Sequence, residues 1–444
     1  MQAISRHRAD GLGTTRLERQ GRTIMKISAL GQQLTGETGT RSLMDDLGAA
    51  TEEGREIFQL GGGNPAFIPE AEELFRTRMQ ILMQRERIFE QAIGRYATPR
   101  GDRNFARALA DLLRKEQGWD LSERNIALTN GSQSAFLALF NLLAGPGADG
   151  VHRRILLPLA PEYIGYSDLG LSPDILASKR STIGELGDGI FKYGIDFDAV
   201  STVDDIGAIC VSRPTNPTGN VITDEEMRRL GELASARDVP LIVDNAYGLP
   251  FPGIVHSDAR MEWDENIVLC MSLSKIGLPG FRTGIVVARE EIIDALAAMN
   301  AIFCLAPGNF GPLLAEDLVR SGDILSLSRN TIRPFYLDKA ERALDRLRKG
   351  LAECGALVHK PEGAFFLWLW MPGLPITNHT LYQRLKERGV FVVSGHYFFP
   401  GLEDDDWTHK NECIRISYAA ADDDHVARGI DIIIEEVRRA YDHG

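Results

Sequence analysis

The stretch PLIVDNAYGLPFPGIVHSDARMEWDENIVLCMSLSK, residues 240–275, holds the pattern that decides the fold. It contains two short apolar runs, PLIVD (240–244) and IVLCMS (267–272), with no alternation of polar and apolar residues. A strand with one wet face alternates, whereas a continuous run belongs to a strand buried on both faces. The same texture recurs at IALT (126–129), RILLP (154–158), AICVS (208–212) and GIVVA (284–288). Helical patterns lie between these runs. Residues 102–116 put Phe105, Leu109, Leu112 and Leu113 on one face, and residues 224–236 do so with Met227, Leu230, Leu233 and Ala234. Thr223 and Glu226 stand at the spacing of a capping box ahead of the second helix. Helices alternating with doubly buried strands predict an α/β fold with a mostly parallel central sheet.

Past residue 320 the texture changes. A long polar helical stretch (323–353) leads to AFFLWLW (364–370), VFVVS (390–394) and CIRISYA (413–419). A last amphipathic helix follows, with Val426, Ile430, Ile433, Val437 and Tyr441 on one side. The expected organisation is an Arg-rich disordered extension over 1–24 and a segment over 25–69 that contributes to a smaller domain. A large domain over 70–320 and a smaller α+β domain over 321–444 complete it.

The net charge of -13 on 444 residues disfavours nucleic acid and anionic membrane as partners. The five cysteines form no CxxC pair, which fits a reducing compartment. No apolar stretch approaches the length of a membrane helix, and no secretory signal pattern opens the chain. A cytoplasmic protein is therefore expected.

Ligands of open α/β sheets bind beyond the carboxyl ends of the strands. Here IALT runs into Asn130-Gly131-Ser132-Gln133 and AICVS runs into RPTNPTG. PLIVD ends on Asp244, and IVLCMS runs into Leu273-Ser274-Lys275. Taken singly, each is better explained as a tight turn, a cap or an exposed lysine. Together, at one edge of one sheet, they mark a site. The phosphate-loop motif, a GxGxxG following a strand, HExxH and GxSxG are all absent, and the histidines are scattered, so no metal site is expected.

The ordered set Tyr96, Gly131-Ser132-Gln133, Tyr163, Asn216-Pro217-x-Gly219, Asp244-x-x-Tyr247, Ser272-x-Ser274-Lys275, Arg282 and Arg415 resembles the class I/II aminotransferases. These are enzymes of the fold type I group that depend on pyridoxal 5'-phosphate, and the resemblance spans roughly residues 55–440. It implies that Lys275 holds the cofactor and moves the substrate proton as general acid and base. It implies that Asp244 pairs with the ring nitrogen, that Asn216 and Tyr247 reach the ring oxygen, and that Tyr163 stacks on the ring. A phosphate would sit at the helix start near Gly131, Ser132 and Gln133, held also by Ser272, Ser274 and Arg282. Arg415 would clamp the substrate carboxylate, with Gly63 of LGGGNP approaching the substrate through its backbone. Tyr96 would reach the phosphate of a neighbouring subunit, which implies a homodimer with shared sites. The resemblance also implies a cis Asn216–Pro217 bond. The chain departs from a common family pattern in having tyrosine at the stacking position.

Within the family, LTNGSQSAFLALFNL, PLAPEYIGY, CVSRPTNPTGNVITDEE and HKPEGAFFLWLW resemble transaminases that pair L-valine with pyruvate. No motif supplies a second arginine for a dicarboxylic donor. Two alternatives stay open: another enzyme on the same scaffold, such as a carbon–sulfur lyase, and an aminotransferase-like ligand-sensing regulator. Against the regulator stand the acidic balance and the unpatterned residues 1–24, where a DNA-binding domain would be needed.

Overall fold

The six continuous apolar runs become neighbours in one eight-stranded sheet of the computed structural model, which describes residues 26–36, 39, 56–420 and 422–443. In space the strands run Ile126–Thr129, Gly284–Val287, Ile267–Ser272, Leu241–Asp244, Ile206–Ser212, His152–Ala160 and Gly145–Pro146, with Leu176–Arg180 also paired to His152–Ala160. Every residue of strands 126–129, 206–212, 241–244 and 284–287 is buried, as unalternating runs require. The centre is parallel: 241–244 pairs that way with both 206–212 and 267–272, and 152–160 with 176–180 and 206–212. Strand 284–287 is antiparallel to both neighbours. The connection 273–283 contains no crossover helix and is too short for one, so the chain must turn back on itself.

The flanking helices form where their patterns place them. Arg103–Gln117 starts at Asp102, whose carboxylate accepts from the Phe105 N–H at 2.8 Å, and ends at Gly118 with φ 72°. In Asp224–Ala236 the box closes both ways: Thr223 Oγ1 accepts from the Glu226 N–H at 3.1 Å, and Glu226 Oε2 from the Thr223 N–H at 2.9 Å. No helix among the described residues is long and apolar enough to cross a membrane.

A second, six-stranded sheet runs Val393–Ser394, Cys413–Ser417, Phe366–Trp370, Leu357–His359, Ile190–Gly194 and Thr182–Gly187. Its last two strands form a hairpin that lies within the stretch 70–320. Ile190 and Phe191 pair in parallel with Val358 and His359, and Phe191 and Tyr193 are buried there. From the amino-terminal side, Phe58–Gln59 pairs in parallel with Val390–Phe391, and Leu60 O accepts from the Ser417 N–H at 2.6 Å. The expected extension over 1–24 lies outside the described residues. Helix Ala29–Leu34, capped by Ser28, is a unit by itself.

The polar stretch past 320 is helical as Asp323–Leu327, a π-helical turn Ser328–Ile332, and Arg333–Leu351. The last helix, Asp423–His443, buries Val426, Ile430, Ile433 and Val437.

Candidate active site

Strand directions bring the polar ends of the runs together. Strands 126–129, 206–212, 241–244 and 267–272 all point the same way, so Gly131, Asn216, Asp244 and Lys275 leave the sheet at one edge. Arg282 precedes strand 284–287, whose first residue pairs with Ser272 and Thr129, and so lies at that edge too.

Lys275 is half-buried. Its ammonium donates to Gly63 O at 2.7 Å and lies 5.4 Å from the centre of the Tyr247 ring and 5.5 Å from that of Phe365. Withdrawal from water, helped by the charge of Arg415 and opposed by Asp244, brings its pKa down to about 8. Asp244 is buried and accepts from Tyr166 Oη at 2.8 Å and from the Ala246 N–H at 3.1 Å. Burial pushes its carboxyl up to about 6, against those hydrogen bonds and the Lys275 charge.

Arg415 lies in strand 413–417 of the second sheet and is buried. It donates through Nη1 to Asn216 Oδ1 at 2.7 Å and through Nη2 to Gly61 O at 2.6 Å. Its guanidinium lies over Phe366 (4.2 Å to the ring centre) and Phe398 (5.0 Å), and its Nε has no hydrogen-bond partner. With its oxygen turned to Arg415, Asn216 keeps its amide N–H groups free to donate.

Several of the other expected residues join this cluster or brace it, and Tyr96 does neither within the chain. Ser132 Oγ donates to Met271 O at 3.2 Å, and Gln133 Nε2 to Gly165 O at 3.2 Å, tying the helix start to the loop that carries Tyr163. Ser272 Oγ accepts from the Ser274 N–H at 3.0 Å. Tyr247 is buried with its ring edge-on to Phe365 at 5.0 Å, and Tyr163 is half-buried against Tyr166 at 5.4 Å. Tyr96 is 83% exposed and faces solvent.

The expected cis Asn216–Pro217 bond is not found. Among the described residues the cis bonds are Ala160–Pro161, Arg213–Pro214, Leu249–Pro250 and Phe251–Pro252. The RPTNP sequence offers two X–Pro bonds, and Pro217 instead sits in a turn closed by Gly219 N–H to Thr215 O at 2.8 Å.

Sequence reasoning passed over Tyr166 and Glu162, which back onto Asp244. Glu162 is a lone carboxylate in the apolar stretch PLAPEYIGY, directly after a buried strand, and that was the available signal.

Pyridoxal phosphate needs an anion site, a carboxylate for its ring nitrogen and a lysine for its carbonyl, and the substrate needs a cation for its carboxylate. Among the described residues, none of Lys275, Arg282, Arg415 and Asp244 has an ion-pair partner of its own. Helix Ser132–Leu143 starts at Gly131 with no side-chain cap, and a Cβ added to Gly131 would stand 2.2 Å from Arg282 Nη2. The glycine therefore lets a guanidinium close onto unsatisfied helix N–H groups, which is an arrangement made for phosphate. The residues fit the group.

A doubly wound sheet with a lysine, an aspartate and a phosphate cradle at one edge defines a pyridoxal-phosphate enzyme of fold type I. The chain belongs to the class I and II aminotransferases, whose family model matches residues 190–433. It is an aminotransferase that depends on pyridoxal 5'-phosphate and works on amino acids and 2-oxo acids. It is 49% identical over 417 residues to valine–pyruvate aminotransferase of Escherichia coli (strain K12), covering 94% of this chain and 99% of that one. The crystal structure of valine–pyruvate aminotransferase from Salmonella typhimurium LT2 matches with a TM-score of 0.83 at 48% identity, covering 91% of this chain and 100% of that one. A Psychrobacter arcticum 273-4 structure matches with a TM-score of 0.92 at 47% identity over 95% of this chain and 100% of that one.

Proposed function

We propose that this chain moves the amino group of L-valine, or a similar apolar amino acid, to pyruvate, giving 3-methyl-2-oxobutanoate and L-alanine. The observation that carries this is the 49% identity, over nearly the full length of both chains, to a valine–pyruvate aminotransferase. The walls of the cleft agree with an apolar side chain, since Tyr247, Phe365, Phe366 and Phe398 surround Lys275 and Arg415.

When bound, pyridoxal phosphate supplies a carbonyl that takes up the amino group and a ring that withdraws electrons from the substrate Cα. Lys275 would hold that carbonyl and would carry the proton to and from Cα, for which a pKa near neutrality suits it. Asp244 would hold the proton on the ring nitrogen, Asn216 and Tyr247 would donate to the ring oxygen, and Tyr163 would cover the ring face. Gly131, Ser132 and Gln133 at the helix start, with Ser272, Ser274 and Arg282, bind the phosphate. Arg415 takes the substrate carboxylate, and Gly63 lines the approach to Cα. The large domain over 70–320 would then carry the cofactor, and the domain over 321–444 would deliver Arg415.

We further propose a cytoplasmic homodimer in which Tyr96 completes the phosphate site of its partner. Its exposure, and the hydrogen bonds that tie its neighbour Arg95 to Asn309 and Gly308 to Asn130, support this, and the five unpaired cysteines suit a reducing compartment.

An absorbance scan tests the function. The purified holoenzyme should show a visible cofactor band that L-valine bleaches and pyruvate restores. A band indifferent to valine would point to another amino donor.

A further inference from the structure

Asp244 is one end of a buried chain of hydroxyl groups that finishes on a second carboxyl group. Tyr166 Oη donates to Asp244 Oδ2 at 2.8 Å and lies 3.3 Å from Ser212 Oγ. Ser212 Oγ lies 2.6 Å from Glu162 Oε2, while Glu162 Oε1 accepts from the Ser212 N–H at 3.0 Å. Glu162 and Tyr166 are wholly buried, with 0% of their surface exposed. The ring of Tyr166 is wedged between Phe136 (5.2 Å) and Phe140 (5.3 Å), so the chain cannot swing out to water.

Counting protons decides how this chain is ordered. Tyr166 has one proton, and it goes to Asp244. Were Glu162 ionised, Ser212 would donate to it and Tyr166 Oη would receive nothing. Two carboxylates would then share one dry network, with no cation beside Glu162 among the described residues. A buried charge without a partner is costly, and a second like charge nearby adds to the cost. With a proton on Glu162, each group donates to the next, from Glu162 to Ser212 to Tyr166 to Asp244. Such a run of donors pointing one way strengthens every link. The chain then carries one negative charge, at the end that faces Lys275. In agreement, burial raises the Glu162 carboxyl to about 8; the Ser212 hydrogen bonds oppose this and the Asp244 charge adds to it.

We propose that Glu162 is a positioning residue that stays protonated at neutral pH and, through Ser212 and Tyr166, keeps the negative charge of this network on Asp244. The proposal rests on Asp244 being the partner of the cofactor's ring nitrogen. Glu162 itself touches neither cofactor nor substrate. It orders the hydroxyls so that the only carboxylate of the network is the one the ring needs.

The test is the difference infrared spectrum of the holoenzyme, wild type minus Glu162→Gln, at pH 7. The expected result is the carbonyl stretch of an un-ionised carboxylic acid, present in the wild type and lost in the variant. Kinetics add a second readout. Glu162→Leu should lower kcat by about tenfold, the scale of one lost buried hydrogen bond, with KM little changed. Glu162→Gln, whose amide can still donate to Ser212, should restore most of that loss. A wild-type spectrum without the acid band overturns the proposal, and so does a Gln variant as poor as the Leu variant. If Glu162→Leu does not fold, the infrared comparison decides alone. Asp244→Asn separates the two layers: an unchanged cofactor spectrum and kcat there would remove Asp244 from the ring nitrogen, whereas the infrared band reports on Glu162 whichever way that falls.

Discussion

Lys275 shows how one side chain is tuned by its place. Little water surrounds its ammonium, Arg415 repels it, and Asp244 only partly compensates, so the proton is held with a pKa of about 8. Only the neutral amine has a lone pair with which to capture the cofactor's carbonyl. The rate at which apoenzyme takes up pyridoxal phosphate should therefore level off above about pH 8 and fall about tenfold per unit below it. Stopped-flow absorbance measures this. A flat profile from pH 6 to 9 would mean that Lys275 is neutral throughout, or is not the capturing group. Lys275→Ala should remove both the capture signal and turnover. Arg415 is tuned for shape. It donates to Asn216 and Gly61 through separate nitrogens and, among the described residues, leaves Nε unpaired, so a fork is available that an ammonium cannot imitate. Arg415→Lys should raise KM for the amino acid and for the 2-oxo acid alike, by tenfold or more on the scale of a lost charge-assisted hydrogen bond. Initial-rate kinetics with both substrates check it, and a rise confined to one would exclude a shared clamp.

At the scale of elements, the helix start at Gly131 is where backbone shape and charge meet. Gly131 has φ +85°, and an added Cβ would meet the end of Arg282 at 2.2 Å. Arginine can swing aside, so Gly131→Ala should still fold, at a cost of about 1–3 kcal/mol for a backbone conformation (φ +85°, ψ 160°) that alanine rarely adopts. The displaced guanidinium should weaken cofactor binding by about tenfold, the loss of one charge-assisted contact. Gly150, with φ +83° and open space around it, is a control for a positive-φ glycine away from the site. Gly150→Ala should lower thermal stability with cofactor affinity unchanged, and equal effects of the two on affinity would dismiss the arginine contact. The contrast also indicates what the sequence could convey. Strands such as 241–244 were legible because burial on both faces leaves a continuous apolar run, and the residue after each run was legible because strand ends are where polar groups must appear. The hairpin 182–194 was not, because its place depends on a pairing with 357–359 that no local pattern encodes. Tyr166 was not legible either, since a tyrosine among apolar residues reads as core until its hydroxyl is seen on Asp244. The reversed strand 284–287 was within reach, because the length of 273–283 alone forbids a crossover.

At the scale of the whole molecule, a single chain leaves an unusual surface beside its own site. Ile302, Phe303 and Leu305 are 81%, 41% and 55% exposed, and Ile93 and Tyr96 are 60% and 83% exposed. The two segments are joined by Asn309 Nδ2, which donates to Arg95 O at 2.7 Å. Gly308 N–H donates to Asn130 Oδ1 at 3.0 Å, next to the phosphate cradle at Gly131. Exposed apolar residues grouped in this way suit the subunit face of the proposed homodimer. If a second copy covers it, each Tyr96 would enter the other subunit's site, and that gives a test which mere association would not pass. Lys275→Ala is expected to be inactive and Tyr96→Ala to bind cofactor poorly. Co-folded, the two should form mixed dimers in which the site carrying intact Lys275 receives an intact Tyr96. Activity at limiting pyridoxal phosphate should then exceed the sum of the two variants folded separately. Size-exclusion chromatography would show dimers in every sample, so the gain would report shared sites rather than assembly. If the mixture shows no gain while the samples remain dimeric, Tyr96 serves its own chain or none, and the apolar face has a purely structural use.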